Sequence, residues 1–173
     1  MEQSEIRTLK ILEALEENPL QSQRDLSRKL KISLGLVNAF TKRLARKGYF
    51  KITTIPKNRI QYILTPRGMA EKARLTYQYF NYSMQYYKNA RANFREMFNQ
   101  LLKEDKKRVY LLGVSELAEI AYITLLETEL ELAGIVDEEK AGTDFIGFQV
   151  LNRVALERLS SSDAVIDTSI KIH

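Results

Sequence analysis

Hydrophobic residues in the first third of the chain recur at the three- and four-residue spacing of amphipathic helices. Across residues 4–17 they repeat every three positions and form one apolar stripe, at Ile6, Leu9, Leu12 and Leu15. Asn18-Pro19 ends this segment, because proline disfavours helical backbone in the residue before it. The pattern therefore predicts a first helix whose stripe faces a core.

A second, short helix is predicted to begin after Ser22. The Ser22 side chain can cap this helix while Asp25, three residues later, returns a bond to the Ser22 backbone, as in a capping box. Leu26 and Leu30 lie four residues apart and give the helix a single apolar face. A tight turn is predicted directly after Leu30.

A third, longer helix is predicted from Ser33, a second N-cap residue, to Gly48, a residue type that suits the position after a helix. Its apolar positions face one side and are Leu36, Val37, Phe40 and Leu44. Its opposite side carries Asn38, Thr41, Lys42 and Arg46. One face is therefore predicted to be buried and the other to be open to a partner.

Two runs rich in β-branched and aromatic residues then predict a β-hairpin. The strands are expected at residues 50–55 and 59–64, with Pro56-Lys57-Asn58 as the turn between them. Helix, turn, longer helix and hairpin in this order predict an α+β winged helix-turn-helix.

Residues 5–70 resemble the winged helix-turn-helix of bacterial MarR-type regulators. The likeness rests on LSRKLKISLGLVNAFTKRLARKGYFKI, on the basic hairpin after it and on the LTPRG that follows. The resemblance implies a dimer whose second helix-turn-helix helix enters the major groove of DNA while the hairpin, or wing, reaches a neighbouring groove. Double-stranded DNA and a second copy of the chain are therefore the expected partners.

Base contacts are expected from the N-terminal part of the third helix, where the candidates are Ser33, Leu34, Gly35, Asn38 and Lys42. Asn38 can pair with adenine, Leu34 can touch a thymine methyl group, and Gly35 lets the helix approach closely. Phosphate contacts are expected from Thr41 and Arg46, while Arg43 contacts phosphate or makes a surface ion pair.

The start of the second helix is a predicted phosphate clamp, and the tip of the wing suits a minor groove. The full set of predicted DNA contacts is Ser22, Gln23, Arg24, Ser33, Leu34, Gly35, Asn38, Thr41, Lys42, Arg46, Lys57, Asn58 and Arg59. The alternative for each residue taken alone is a solvated surface position.

Charge is distributed unevenly along the chain, although the formal net charge is only +5. Residues 1–66 hold 13 basic and 6 acidic side chains, residues 67–103 hold 7 and 2, and residues 104–173 hold 7 and 14. A basic front and an acidic back are expected when only the front meets phosphate. The alternative is that basic surface helices are common.

Residues 67–103 contain no proline and no glycine after Gly68, which predicts one long helix. Its apolar residues follow alternating three- and four-residue steps, as in a heptad pattern. The stripe consists of Tyr77, Phe80, Met84, Tyr87, Phe94, Phe98 and Leu101. We expect the residues from Tyr77 to Phe98 to mediate dimerisation; the alternative is a core helix that packs within its own chain.

The remainder of the chain alternates apolar runs with helical segments. After the charged residues 104–108, strands are predicted at 109–113, 132–136, 145–150 and 164–167, and helices at 114–127 and 153–159. Such alternation predicts βαβ units and a parallel sheet covered on both faces. The predicted domains are thus a winged helix-turn-helix at 1–66, a long dimerisation helix at 67–104 and a small α/β domain at 105–173.

Residues 108–168 resemble the Rossmann-like N-terminal domain of nucleotide-sugar acetyltransferases of polysaccharide biosynthesis. The shared stretches are LLGVSELAEIAY, AGIVDEE and KAGTDFIGFQVL. CoA-binding domains, and redox-sensing repressors that join a winged helix to a Rossmann domain, are similar too. The resemblance implies a small Rossmann-like domain, a nucleotide-type effector, and a link of the regulated genes to polysaccharides or the cell envelope.

The predicted ligand residues of this domain are Gly113, Ser115, Glu116 and Asp137. A dinucleotide loop needs a second glycine where Ser115 stands, and Glu116 places negative charge where phosphate would dock. Asp137 lies 24 residues after Gly113, where a ribose-binding acid is expected. Because the loop departs from the dinucleotide pattern, a structural or partner-binding domain in which Asp137 opens a turn is the preferred interpretation, and the ligand site is the alternative.

Composition excludes several kinds of chemistry. The chain has no cysteine, and its only histidine is His173, so no thiol, disulfide or histidine-based catalytic or metal site is expected. No acid–base pair can be nominated, which predicts a protein that is not an enzyme and needs no cofactor. Without a signal peptide or an apolar run of membrane-spanning length, a cytoplasmic protein with no membrane partner is expected.

Three hypotheses for function follow from these patterns. The leading one is a dimeric, sequence-specific DNA-binding transcription regulator. The second is a ligand-responsive regulator that senses a nucleotide, nucleotide-sugar or CoA-type metabolite through residues 105–173. The third is a protein-interaction adaptor whose winged helix binds protein rather than DNA.

Overall fold

The computed structural model describes residues 1–56 and 59–169. The chain divides into two units, Met1–Ser83 and Met84–His173, and the boundary falls within a single helix, α4 (Pro66–Lys103). The prediction of one long helix after Gly68 is thereby confirmed. Among the described residues, no helix combines the length and the apolar character that a membrane span requires.

The first unit consists of three helices, a hairpin and the start of α4. The other elements are α1 (Gln3–Glu17), α2 (Gln23–Leu30), α3 (Leu34–Arg46), β1 (Phe50–Ile55) and β2 (Arg59–Leu64). The two strands pair antiparallel, so that Phe50 lies opposite Leu64. This order confirms the predicted helix-turn-helix followed by a hairpin.

Local capping determines where α2 and α3 begin and end. The Ser22 hydroxyl accepts a bond from the Asp25 N–H while the Asp25 carboxylate accepts one from the Ser22 N–H, which confirms the capping box. The Ser33 hydroxyl accepts a bond from the Leu36 N–H at the start of α3. Gly48 follows α3 with a φ of 74°, the left-handed conformation expected after a helix.

The core of the first unit is formed by the apolar faces of the three helices and by the base of the hairpin. Its buried residues include Leu9, Ile11, Leu12, Leu15, Leu26, Val37, Phe40, Leu44, Tyr49, Phe50, Tyr62 and Leu75. The rings of Phe50 and Tyr62 meet edge to face with centroids 5.5 Å apart. Ile6 and Leu36, which the spacing also assigned to the inside, are only partly buried.

The start of α4 is fixed against the segment that follows α3 by backbone contacts. The Thr65 N–H donates to the Tyr49 carbonyl, and the Thr65 hydroxyl donates to the Gly48 carbonyl and accepts from the Gly68 N–H. A Cβ atom on Gly68 would stand 1.8 Å from the Tyr49 carbonyl oxygen. Glycine is therefore required at this position, because the atom in the way belongs to the backbone.

The second unit is built on a three-stranded parallel sheet. Besides the end of α4, its elements are β3 (Arg108–Leu112), α5 (Glu116–Leu125), β4 (Glu131–Val136), β5 (Asp144–Phe145), β6 (Phe148–Gln149), a 3-10 helix (Arg153–Arg158) and β7 (Asp163–Asp167). The strand order is β4-β3-β7, while β5 and β6 pair separately. The predicted βαβ unit is confirmed, whereas the single strand predicted at 145–150 is two short ones. A Rossmann-like kinship stays a prediction.

The two faces of the parallel sheet are buried to different extents. On one face, Val109, Leu111 and Ile135 are fully buried in a core that includes residues of α4 and α5. On the other face, Tyr110 is only partly buried and its β7 neighbour Val165 is 39% exposed. Val136, also on this second face, is fully buried, so within the described residues the predicted cover is complete on one face and partial on the other.

The apolar stripe of α4 is divided between two environments. Phe94 and Phe98 are 6% and 0% exposed, and their rings stack with centroids 6.0 Å apart in the core of the second unit. The prediction that these two residues mediate dimerisation is corrected, because side chains buried in their own chain are not available to a partner. The other predicted positions are partly buried at Tyr87 and exposed at Tyr77, Phe80 and Met84.

We expect Gly68→Ala to destabilise the first unit. The added Cβ would overlap the Tyr49 carbonyl oxygen, so the free energy of unfolding should fall by about 1–3 kcal/mol. Gly35→Ala is the matched control, because a Cβ there meets no atom within 4 Å and alanine favours a helix over glycine by about 1 kcal/mol. Urea denaturation followed by circular dichroism measures both variants. Equal stability of Gly68→Ala and the wild type would contradict the packing at Tyr49.

Candidate nucleic-acid interface

The first turn of α3 is an open part of the helix-turn-helix. Ser33, Leu34 and Gly35 are all exposed, and 43% of Leu34 is accessible. Within the described residues, nothing lies within 4 Å of the position that a Cβ of Gly35 would take. The turn therefore presents an unobstructed surface, which the DNA contacts predicted for these three residues require.

Beyond its first turn, α3 carries a line of polar side chains on one side. Asn38 is partly buried, and Lys42 and Arg46 are exposed. The three residues follow one another at four-residue intervals, which places them on the same side of the helix. An amide next to two cations can meet a base edge and the flanking phosphates. These three positions thus keep the geometry that their predicted roles need.

Thr41 does not lie on the exposed face of α3, and its predicted contact with phosphate is corrected. Only 1% of Thr41 is exposed to solvent. The hydroxyl lies 3.0 Å from the carbonyl oxygens of both Val37 and Asn38, to which its proton is directed, and accepts a bond from Gln23 Nε2 at 3.3 Å. A hydroxyl engaged in this way within the unit is not free to bind DNA.

Within the described residues, the start of α2 offers one free cation, Arg24, rather than three free side chains. The Ser22 hydroxyl donates to the Asp25 carboxylate at 2.7 Å and accepts the Asp25 N–H, so it is engaged in the cap. Gln23 is partly buried and directs its amide at Thr41. Arg24 is exposed. Of the predicted phosphate clamp, Arg24 is therefore the residue best placed to reach a phosphate.

Three cations lie over aromatic rings in the same unit. The guanidinium carbon of Arg43 is 4.3 Å from the centre of the Phe40 ring. Lys47 and Arg67 lie 5.7 and 5.8 Å from the centre of the Tyr49 ring. Such contacts attract the cation to the ring face and restrict its position. Sequence patterns assign Lys47 and Arg67 no role beyond their charge, because the rings that hold them are brought close by tertiary packing.

The wing contributes fewer described contacts than the sequence predicts. Arg59 begins β2 and is exposed, and Lys51 adds a second exposed cation on β1. Lys57 and Asn58, the other two predicted contacts at the wing tip, lie outside the described residues. Arg59 alone therefore represents the predicted tip in the structure.

In the second unit, backbone N–H groups of the predicted phosphate loop are bonded to side chains of the protein itself. Ser115 caps α5, and its hydroxyl accepts bonds from the N–H groups of Leu117 and Ala118. The same hydroxyl donates to the Thr168 carbonyl at 2.6 Å. A phosphate at a helix N-terminus needs such N–H groups. The predicted ligand role of Ser115 is therefore corrected to that of a helix cap.

Asp137 and Gly113 complete this internal network. The Asp137 carboxylate accepts bonds from the N–H groups of Val114, at 3.0 Å, and Glu139, at 3.1 Å. These backbone donors, Val114 foremost, hold the pKa of Asp137 below its ordinary value. Gly113 has a φ of 100°, and a Cβ there would stand 2.5 Å from Ser169 Cα. Both residues thus have structural roles that account for their presence.

A cleft of about 360 Å³ lies at the carboxyl ends of β3, β4 and β7. Its charged lining consists of Asp137, Glu138, Glu139, Asp167, Lys140 and Arg153. Four carboxylates against two cations disfavour an anionic ligand by charge repulsion. Glu116, the remaining predicted ligand residue, is exposed and lies outside this lining. In the described residues, no group of acidic side chains is arranged to hold a metal ion.

Comparison with known proteins identifies the first unit. Residues 5–51, which span α1 to the start of β1, match the family model described as winged helix-turn-helix DNA-binding. No curated protein matches the chain. The first unit therefore carries a winged helix-turn-helix of a DNA-binding type.

Two solved structures of regulators are similar to parts of the chain. The PcaV transcriptional regulator from Streptomyces coelicolor, crystallised with its natural ligand, is 20% identical with a TM-score of 0.45, and the match covers 56% of this chain and 70% of that one. A MarR family transcription regulator is 20% identical with a TM-score of 0.40, and the match covers 57% of this chain and 74% of that one. These values describe a distant likeness.

We expect Asp137→Asn to weaken the second unit in a pH-dependent way. The carboxylate holds two backbone N–H groups and its pKa is lowered by folding. Its stabilisation is therefore fully present above the unfolded aspartate pKa of about 3.9 and is lost as the pH falls through the lower folded value. At pH 7 the variant should lose about 1 kcal/mol of unfolding free energy.

Urea titrations of both proteins at pH 7 and at several values below 4 measure this difference. Asp144→Asn is the matched control, because Asp144 is an exposed aspartate on β5 in the same unit. A difference between the wild type and Asp137→Asn that persists unchanged at the lowest pH would contradict the role given to the charged carboxylate.

Proposed function

We propose that this chain is a sequence-specific DNA-binding transcription regulator of the MarR type that acts as a dimer. The observation that carries the proposal is the unobstructed first turn of α3 in a unit that matches a winged helix-turn-helix DNA-binding model. In this role α3 is the recognition helix, which lies in the major groove. The basic charge of residues 1–103 supports binding to phosphate.

The recognition helix contacts both bases and phosphates. Asn38 reads adenine, Leu34 contacts a thymine methyl group, and Gly35 permits close approach of the helix backbone. Lys42 reaches a base edge from the same side of the helix, and Arg46 contacts a phosphate. The exposure of four of these residues, and the partial exposure of Asn38, supports this assignment.

Flanking segments hold the recognition helix on the duplex. Arg24 reaches a phosphate from the start of α2, and Arg59 of the wing enters a neighbouring minor groove. The cations held over aromatic rings, Arg43, Lys47 and Arg67, add to the basic surface of the same unit. Such contacts give affinity and orientation, whereas the base contacts give specificity.

Dimerisation is assigned to the exposed part of the α4 stripe. Tyr77 and Phe80 are 67% and 59% exposed, and Met84 is exposed in the next turn. Large apolar side chains at heptad-like spacing on one helix suit a second copy of the same helix. Phe94 and Phe98 take no part, because they are buried in the second unit.

A second version of the proposal, which has less support, is that the second unit binds a nucleotide-type effector. The predicted phosphate loop is filled by Ser115 and Asp137, and the adjoining cleft has more carboxylates than cations. The link to polysaccharide or cell-envelope genes depends on the sequence resemblance alone.

Selection of bound duplexes from random-sequence DNA at two salt concentrations tests the DNA proposal. We expect an inverted repeat with half-sites about 10 bp apart, and affinity that falls steeply with salt. Asn38→Ala should weaken binding to the selected duplex by about 1–3 kcal/mol while leaving a shuffled duplex almost unaffected. Arg46→Ala should weaken both and lower the salt slope by about one.

Lys88→Ala removes an exposed lysine of the second unit and serves as the control for the loss of one positive charge. Steep salt dependence without an enriched sequence would replace specific regulation by a nonspecific basic surface. Absence of binding at either salt would contradict the DNA proposal and favour the adaptor hypothesis, in which the winged helix binds protein.

Phe80→Glu should convert the dimer to a monomer. The Phe80 ring is exposed and lies in the proposed dimer interface on α4. A charge at this position would be buried without a partner when two copies associate, which opposes self-assembly. Sedimentation velocity measures the change, and circular dichroism shows whether the fold is retained. Ile123→Glu is the control, because Ile123 is an exposed apolar residue on α5. An unchanged dimer in Phe80→Glu would remove α4 from the interface.

A further inference from the structure

Gln23 and Thr41 connect the two helices of the helix-turn-helix by a hydrogen bond between side chains. The Gln23 Nε2 donates to the Thr41 hydroxyl oxygen at 3.3 Å, across 18 residues of sequence. The two helices also contribute apolar residues, such as Leu26 and Val37, to the described core. Apolar contacts resist separation of the helices but allow small sliding movements, whereas a hydrogen bond depends on direction and distance.

The Thr41 hydroxyl is oriented to receive this bond. Its proton is directed at the Val37 and Asn38 carbonyl oxygens, each 3.0 Å away, so its lone pair is left for Gln23. Thr41 is 1% exposed, which excludes water as a competing donor. Loss of Gln23 would leave the buried Thr41 oxygen without this donor, which favours the bonded geometry.

The two ends of this bond lie next to the two kinds of predicted DNA contact. Gln23 is the first residue of α2, between the cap residue Ser22 and the exposed cation Arg24. Thr41 lies one helical turn after Asn38, and its hydroxyl faces the Asn38 carbonyl. The bond therefore fixes the phosphate-contacting end of α2 relative to the base-reading turn of α3.

We propose that Gln23 and Thr41 are positioning residues for sequence readout rather than DNA contacts. The inference rests on the proposed function, since it assigns the pair a task within that DNA interface. Phosphate contacts set the register of the protein on the duplex, and base contacts are made only when the register is correct. Loss of the bond lets α3 shift relative to Arg24, which weakens base readout more than phosphate binding.

The measured quantity is a ratio of two dissociation constants. One is for the duplex that the wild-type protein enriches from random-sequence DNA, and the other is for a shuffled duplex of equal length. We expect Thr41→Val, which removes the hydroxyl and keeps the branched shape, to reduce this specificity ratio about tenfold. Gln23→Ala should reduce it equally. The double variant should be no worse than either single one, because both substitutions break the same bond.

Two further variants separate positioning from folding. Thr41→Ser keeps the hydroxyl and should restore the wild-type ratio. Thr124→Val is the matched control, because Thr124 is a fully buried threonine that also donates to a carbonyl four residues earlier, Ile120, but in the second unit. Gln23 is partly exposed, so Gln23→Ala gives the result even where Thr41→Val lowers stability.

The outcomes distinguish this inference from the proposed function. If the wild type enriches no sequence, the proposed function fails, whatever the variants do. If the wild type is specific but the variants lose affinity for both duplexes equally, Gln23 and Thr41 act on phosphate or on stability, and the positioning role is overturned. Additive losses in the double variant, or a failure of Thr41→Ser to restore the ratio, overturn it as well.

Discussion

The burial of one face of α3 is the constraint on which the first unit depends. Val37, Phe40 and Leu44 face the core, so the helix cannot rotate about its axis without exposing them. Because successive residues of a helix are rotated by about 100°, the direction of each remaining side chain of α3 is then fixed as well. The outward surface, with Gly35 and Asn38, is therefore a consequence of what is buried on the opposite side.

The second unit shows how the same polar groups serve either a ligand or the chain itself. N–H groups at a helix start and after a strand are available to an anion only while nothing else binds them. Here the Ser115 hydroxyl and the Asp137 carboxylate bind them. A loop that resembles a phosphate loop in sequence thereby becomes an internal joint between β3, β4 and α5. The carboxylates that line the adjoining cleft are favoured in the same way, because negative charge is attracted to backbone N–H groups.

Signals that act within a few residues were sufficient to predict much of the fold. The capping serines Ser22 and Ser33 and the stop at Gly48 were predicted correctly, because a cap is made by residues that are close in sequence. Thr41 was misplaced, because helical spacing gives a direction and cannot show that Gln23, 18 residues earlier, covers that side. Ser115 was misassigned for the same reason, since its partner Thr168 is distant in sequence.

In the apolar stripe of α4, residues with the same regular spacing have different surroundings. Its spacing is regular from Tyr77 to Leu101, yet Phe94 and Phe98 pack on their own chain while Tyr77 and Phe80 are left exposed. A regular stripe therefore does not identify what covers it.

For the exposed part, the start of α4 supplies the remaining physical link. Gly68 is held against the Tyr49 carbonyl, which directly follows Gly48, the left-handed residue after α3. A partner that bound Tyr77 and Phe80 would thus act on a helix whose first turn is fixed to the end of the recognition helix by backbone contacts, which change little with side-chain motion.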